Sequence, residues 1–306
     1  MPKSSPETPV AKIRWSAEKR LEFIEFKAFW DGSVNRSDIT QAFSVSVPQA
    51  SADLSNYQSV APSNLRYDAS AKRYIASDAF RPLLTRPNAE QYLSQLVAYS
   101  RDALMPTPMW MTNAPAAETL PIPQRPVDPE ILRALLRAIR TNASIEIEYH
   151  SMNKDSPAQK WRRVTPHAFG FDGFRWHSRA WCHRSNRFKD FLLSRCCAAR
   201  DAGPAGTPSG EDTLWKSFLD VTLTPNPALT ASQRRAVELD YGMRRGSVSV
   251  VVRLAMLYYF DKYVSPGLTN KVVSNEQARR QPLVVKNAPA YCDALKSVGG
   301  IRPNSL

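Results

Sequence analysis

The chain is poor in cysteine: Cys182, Cys196, Cys197 and Cys292 are all that 306 residues carry, with no CxxC pair. Such spacing offers no disulfide framework. Long apolar runs are missing too. No segment approaches the roughly 20 apolar residues of a membrane-spanning helix, and the opening MPKSSPETPVAK lacks a signal-peptide core. A cytoplasmic protein with no membrane partner is expected. The absence of a P-loop, a GxSxG elbow and a dinucleotide fingerprint leaves three common enzyme chemistries without their scaffolds. Carboxylates are the last deficit, with 28 Asp and Glu against 41 Lys and Arg, a formal charge of +13. That surplus favours acidic partners, nucleic acid first.

The surplus is uneven. Lys and Arg outnumber Asp and Glu by 12 to 10 in residues 1–100, by 16 to 9 in 101–200 and by 13 to 9 in 201–306. The basic centre is therefore the middle of the chain. Met105 to Pro129 holds seven prolines, a composition that continues neither a helix nor a central strand and reads as an extended connection. A second Gly/Pro-rich break runs from Asp201 to Gly210. These breaks predict an N-terminal module over 1–104, a linker over 105–127, a middle module over 128–208 and a last module over 209–306.

In the first module Ser16 is the expected cap of a helix with Leu21, Ile24 and Ala28 on its apolar stripe, ended by Asp31-Gly32. Asn35 caps a short second helix. Ser46 caps a third, with Pro48 in its first turn, where a missing N–H costs little. Two short strands, Leu65 to Asp68 and Lys72 to Ile75, then form a wing, and a last helix runs from Asn88 to Leu104 as a spacer or dimerisation arm. This is the order of a winged helix-turn-helix. The third helix turns Gln49, Ser55 and Asn56 away from the core, and nothing from Ser44 to Asn64 is Lys or Arg. Gln and Asn pair bidentately with adenine, so Ser46, Gln49, Ser51, Ser55 and Asn56 are the candidates for base or nearby contacts. Phosphate attachment falls to Arg14, Arg36, Arg66, Lys72 and Arg73.

The middle module opens with a helix from Asp128 to Thr141 and a strand from Ile145 to His150, whose Ile145, Ile147, Tyr149 and Ser151 share a face. Between Arg162 and Arg195 stand eight Lys and Arg, around an Asp172-Gly173 dipeptide that marks a hairpin. Phe188 to Cys197 supplies a further strand. A two-residue turn would pair Phe171 with Phe174, Gly170 with Arg175, Ala168 with His177 and Pro166 with Arg179. Arg175, His177 and Arg179 then line one face opposite small residues, leaving room for an anionic ligand such as a nucleotide or nucleic acid. The four histidines near Cys182 have no zinc-finger spacing, and cations surround them, so no metal or other cofactor is expected. Glu146 and Glu148 keep a metal-dependent nuclease open as an alternative. The basic sheet keeps open a second one, a single-stranded nucleic-acid-binding module.

Pro166 to Cys182, reading PHAFGFDGFRWHSRAWC, and Phe188 to Arg195 resemble the WYL domain of bacterial transcription regulators. Pro48 to Leu54, Ala61 to Asp68 and Ala71 to Tyr74 resemble the winged helix of the same proteins, most closely those encoded beside phage-defence systems such as BREX and CBASS. The resemblance spans nearly the whole chain. It implies a homodimeric repressor with an SH3/Sm-like β-barrel as sensor and a C-terminal extension domain. The name-giving Trp-Tyr-Leu falls on Trp176-His177-Ser178, so only Trp matches. The resemblance also implies a ligand pocket of Tyr149, Ser151, His167, His177, Arg179 and Arg195. The strand pairing above instead places His167 on the Trp176 face.

The expected protein is thus an α+β multidomain chain: winged helix-turn-helix, WYL barrel and small α/β extension. It would act as a non-enzymatic, homodimeric repressor of a phage-defence operon on a double-stranded, inverted-repeat operator, modulated by an anion in the WYL domain. The last module is expected to hold strands at Leu219 to Thr224 and Ser247 to Leu254 and helices at Ala231 to Tyr241, around Asn275 to Arg280 and at Ala288 to Val298.

Overall fold

The computed structural model describes residues 9–100, 110–111, 114–152, 159–264 and 274–299, with the side chains of 9–16 and 159–160 outside that description. The chain divides into two compact units, Met1–Ile122 and Pro123–Leu306.

The first unit runs α1 (Pro9–Asp31), β1 (Ser33–Val34), α2 (Arg36–Phe43), α3 (Val47–Val60), β2 (Leu65–Asp68), β3 (Arg73–Ala76) and α4 (Ala89–Ser100). Helix α1 starts before Ser16, which lies within it rather than capping it. Its end is set by Gly32, whose φ of 71° is left-handed and free of penalty only for glycine. Asn35 closes a capping box: its side chain accepts from the Asp38 amide at 2.9 Å, and Asp38 accepts from the Asn35 amide at 2.8 Å. Ser46 caps α3 by accepting from the Gln49 amide at 3.3 Å. Phe23, Ile24, Ala28, Val34, Ile39, Ala50, Leu54, Tyr57 and Leu65 form the core beneath these helices.

The wing is three-stranded, in the order β1-β3-β2. Two-residue β1 carries no periodicity that a sequence could show. The unit takes in the proline-rich stretch as far as Ile122, and two residues of it join the packing. Trp110 packs edge-on against Phe23 and Phe26, at 6.0 and 5.5 Å between ring centres, and Met111 is buried. The loop after the wing is held by buried Glu25, which accepts from the amides of Leu83, Leu84 and Thr85 and from the hydroxyls of Thr85 and Tyr57.

The second unit begins with α5 (Pro129–Arg140), capped by Asp128, whose carboxylate accepts from the Glu130 amide at 2.8 Å. Its Ile131, Leu135 and Ala138, spaced at i, i+4 and i+7, bury one face. Strands β4 (Ser144–His150), β5 (Gln159–Phe171), β6 (Trp176–Cys182), β7 (Arg187–Leu192) and β8 (Cys196–Gly203) follow. Phe188 to Cys197, expected as one strand, is broken by a 3-10 turn over Leu193–Arg195.

The antiparallel sheet order is β7-β6-β5-β4-β8, so β7 and β8 are its edges. Flat, those edges would lie about 19 Å apart, four strand spacings. The three-residue turn joining them advances only about 2 Å per residue. The sheet must therefore curl, bringing its edges together around Ile145, Ile147, Tyr149, Val164, Ala180 and Phe191. The described pairings nonetheless leave it open, without a closed ring of hydrogen bonds.

The hairpin register differs from the expected one. Phe171 faces Trp176, Gly170 faces His177, Ala168 faces Arg179 and Pro166 faces Ala180. The turn spans four residues, not two, because the Asp172 side chain accepts from the amides of Phe174 and Arg175 at 2.9 and 2.7 Å. A two-residue shift preserves which face each residue of β6 presents. A bulge between Pro166 and Ala168 then turns His167 out of alternation.

The rest of the unit comprises α6 (Thr213–Lys216), β9 (Phe218–Pro225), α7 (Ala231–Asp240), β10 (Val248–Arg253), α8 (Leu257–Tyr263), α9 (Asn275–Arg280), β11 (Leu283–Val285) and α10 (Ala288–Gly299). Its sheet has the order β10-β9-β11. Short β11 was not legible as a strand. Val221, Leu223, Val252, Leu257, Leu283 and Tyr291 form its core.

Candidate functional site

Helix α3 presents an uncharged polar face. Gln49, Ser55 and Asn56 are exposed, as is the cap residue Ser46. Ser51 is half-buried: its hydroxyl donates to the Val47 carbonyl at 3.0 Å and accepts from Arg36 Nε at 2.8 Å. Arg36 is thereby tied to α3 through one nitrogen, with its remaining N–H groups at the surface. Gln49 Nε2 donates to Asp53 Oδ1 at 3.1 Å. Asp53 is buried and also receives Arg20, with Nε at 2.6 Å from Oδ2 and Nη2 at 3.1 Å from Oδ1. Val47, in the first turn of α3, is 59% exposed; an apolar group there suits a thymine methyl. Neither Val47 nor the Arg20–Asp53 pair was singled out from the sequence.

On the wing, Arg66 and Lys72 are exposed and Arg73 is half-buried, opposite Asp68. Lys72 occupies the turn, at a left-handed φ of 52°. The Arg14 side chain lies outside the described residues.

The basic face of β6 is where the structure departs most from expectation. Arg175, His177 and Arg179 do share a face, but they are buried, at 7%, 3% and 2% exposure. The room expected beside them is filled from further along the chain. Asp212 takes Arg179 in a fork, with Nε at 2.7 Å from Oδ2 and Nη2 at 3.0 Å from Oδ1. Asp190, directly opposite on β7, takes Arg179 Nη1 at 3.2 Å. Asp172 accepts from Arg175 Nε and from His177 Nε2, both at 2.9 Å. Arg175 Nη2 also donates to the Tyr263 hydroxyl at 2.6 Å, and the Tyr259 hydroxyl lies 3.4 Å from His177 Nδ1 and 3.2 Å from Asp190. A Cβ at Gly170, opposite His177, would meet Met256 Sδ at 2.9 Å.

His167 joins this cluster, its Nε2 3.0 Å from Asp212 Oδ2, the oxygen that Arg179 Nε reaches. The bulge thus places His167 with Arg179 and not on the Trp176 face. Tyr149, by contrast, lies in the core. Its hydroxyl accepts from the Leu192 amide at 3.3 Å, and its ring packs edge-on against Phe191. Arg195 is half-buried, with Nη2 2.8 Å from Met152 Sδ, and Ser151 is half-buried near the end of β4. The six pocket residues are therefore divided, with His167, His177 and Arg179 on one network and Tyr149 in the sheet's interior.

Electrostatics follow from this packing. Burial would push the Asp212 carboxyl up, but hydrogen bonds from His167 and Arg179 and the guanidinium charge hold it well below the usual carboxylate range. Burial likewise opposes ionised Asp172, and His177, the Phe174 amide and Arg175 outweigh it. For His177 burial wins over the pull of Asp172 and Asp190, so its pKa is lowered and the ring is neutral near pH 7. Nε2 then carries the hydrogen, because the carboxylate facing it only accepts.

Of the two acids considered for a nuclease, Glu146 is paired with cations, Arg163 at 3.4 Å and Arg200 at 3.1 Å. Of the ring nitrogens considered for zinc, those of His167 and His177 face different carboxylates, and His183 Nε2 lies 2.9 Å from the Thr165 hydroxyl. Among the described residues, no three His, Cys, Asp or Glu are grouped to hold a metal.

Three family models match the chain in succession. Residues 16–98 match the BrxR transcriptional regulator winged helix-turn-helix domain, residues 130–200 the WYL domain and residues 218–291 the BrxR transcriptional regulator C-terminal dimerization domain. Curated relatives agree. A protein of Stenotrophomonas maltophilia named DNA-binding transcriptional repressor CapW is 38% identical over 91% of this chain and 92% of its own length. Its namesake in Pseudomonas aeruginosa is 34% identical over 97% of both chains. That of Escherichia coli strain KTE188 is 38% identical over 80% of this chain and 82% of its own.

Proposed function

The chain belongs to the BrxR/CapW family of WYL-domain proteins, and from that membership we propose that it is a homodimeric DNA-binding transcriptional repressor of the bacterial cytoplasm, not an enzyme. The observation carrying this reading is the full-length identity to repressors of that name. The exposed polar, uncharged face of α3 and the wing cations support it, because Gln and Asn can pair with base edges while Arg and Lys beside them can hold phosphate. In this reading Gln49, Ser55, Asn56 and Val47 approach the major groove, with Ser46 and Ser51 at its rim. Arg14, Arg36, Arg66, Lys72 and Arg73 meet the backbone. Two such helices in a dimer call for an inverted-repeat operator, with half-sites about 10 or 20 bp apart. The operator lies before a phage-defence operon, and the modules follow the boundaries 1–104, 128–208 and 209–306, with Trp110 and Met111 of the 105–127 linker packed on the first.

The curled sheet is read as the SH3/Sm-like sensor barrel that the family resemblance implies, its two edge strands joined through one short turn. Its ligand is anionic, a nucleotide or short oligonucleotide, received by His167, Arg175, His177 and Arg179, with Tyr149, Ser151 and Arg195 shaping the neighbouring wall. Exposed Phe171, Phe174 and Trp176 at the hairpin tip favour an oligonucleotide, since aromatic faces stack bases. Because Asp212 occupies the Arg179 fork, such an anion binds by displacing it.

A mobility shift on the DNA upstream of the protein's own gene tests the core of this reading. Retardation that survives excess unrelated duplex is expected. Equal affinity for any duplex would overturn it.

A further inference from the structure

We infer that Arg20 and Asp53 form a buried positioning pair that presets the Gln49 amide for reading one base, and so determine specificity without touching DNA. The inference rests on the proposed base-reading role of Gln49. A carboxylate only accepts hydrogen bonds, so the 3.1 Å contact with Asp53 Oδ1 must be made by the Gln49 nitrogen. The amide orientation is therefore dictated by chemistry. That nitrogen has two hydrogens. One satisfies Asp53, and because Gln49 is exposed the other and Oε1 remain available as the adjacent donor and acceptor that a bidentate adenine contact requires.

Asp53 can hold this direction because it is itself immobile. Arg20, on α1, grips both its oxygens, at 2.6 and 3.1 Å, and both residues are buried. The guanidinium has a second effect. A bare carboxylate behind the reading face would repel approaching phosphates, and Arg20 neutralises it. Gln49 and Asp53 stand four apart on α3, the spacing at which Gln and Asp side chains meet. Exposed glutamine is otherwise rotamer-rich, so the pair removes an ordering cost that binding would have to meet.

Removing one partner alone would strand a buried charge. Arg20→Met with Asp53→Leu instead replaces the pair by apolar groups of similar volume, a change that buried ion pairs tolerate, and leaves the net charge unaltered. Affinities for operators varied one base at a time are measured for the wild type, this double variant, Gln49→Ala and the triple variant. The double variant is expected to lose about two- to ten-fold of discrimination at one base position, the cost of ordering one mobile side chain. Non-specific affinity and salt dependence should be unchanged, and the triple variant should match Gln49→Ala. If Gln49→Ala alters one position and the double variant keeps full discrimination there, the positioning pair is wrong although the base-reading role stands. If Gln49→Ala alters no position, that role itself fails, and the inference with it. A readout in the unmodified protein covers a misfolded variant: without DNA, the Gln49 side-chain amide should be as ordered as the α3 backbone on the nanosecond scale. Mobility equal to that of exposed Gln41 overturns the inference.

Discussion

At Arg179 a full positive charge sits almost out of water, between Asp212 and Asp190. Desolvation opposes it, and the hydrogen bonds and charges of both carboxylates more than offset that, so its pKa is raised. Arg179→Ala leaves two carboxylates without their cation, a loss of about 3–5 kcal/mol for a broken buried pair. A fall in melting temperature on the order of 10 °C is expected. A change of about 2 °C or less would mean that the fork contributes little and the face behaves as an open basic surface. His177 adds a pH signature. Its folded pKa is lowered below the unfolded value of about 6.5, so the unfolded chain binds the proton first as the solution is acidified. That contribution is complete above about pH 6.5 and is lost as pH falls toward the folded value. Asp212 and Asp172 are also lowered, so theirs is complete above about pH 4 and is lost as pH falls further, through their folded values. Melting temperature against pH should therefore decline in two stages, and His177→Gln should shrink the upper one, leaving the part due to His183, whose pKa burial and the Arg163 charge also lower. A wild-type profile that is flat down to pH 5 would contradict a neutral, buried His177.

At the scale of elements, the wing gives the cleanest separation of roles. On the proposed reading, replacing exposed Arg66 and Lys72 by alanine removes two phosphate contacts from each protomer, four from the bound dimer, and the slope of log K against log salt should fall by about 3.6. Preference among operator variants should be unaffected, because phosphate contacts carry no base information. Binding measured by fluorescence anisotropy across a salt series checks this, and an unchanged slope would take the wing off the DNA. Such elements were legible because their signals are local. Asn35 and Ser46 cap the helices they were expected to cap, and the apolar spacing of α5 matches its buried face. What failed was decided at longer range. The two-residue turn lost to a four-residue one because the Asp172 side chain, rather than a backbone pair, satisfies the amides of Phe174 and Arg175. The bulge at His167 left no mark in the sequence. One of the two carboxylates paired with Arg179 lies 33 residues away at Asp212, just past the Gly/Pro-rich break of Asp201 to Gly210, where nothing local marks it.

At the scale of the whole molecule, these buried pairs make the WYL sheet and the C-terminal domain interdependent. Asp212, Met256, Tyr259 and Tyr263 all enter the sheet from beyond residue 203, and the two sheets belong to one compact unit. An anion that reaches Arg179 must separate it from Asp212, so binding and the packing of these two modules are one equilibrium. A ligand shifts that equilibrium only by its differential affinity for the two arrangements. Asp212→Asn removes the competing charge while keeping the side chain's shape. It should lower the stability of the unliganded protein and raise affinity for an oligothymidine or a mononucleotide. A tenfold gain corresponds to about 1.4 kcal/mol, so the ligand-induced rise in melting temperature should be larger in the variant than in the wild type. Arg179→Met should abolish the rise in both backgrounds. Coupling to the operator is reciprocal: whatever factor the oligonucleotide imposes on operator affinity, the operator must impose on the oligonucleotide, and Asp212→Asn should move the oligonucleotide concentration at which that factor appears. If Asp212→Asn binds the oligonucleotide no more tightly than the wild type, Asp212 does not compete for the site. If Arg179→Met retains the thermal shift, the anion lies elsewhere and this face of β6 is a structural junction alone.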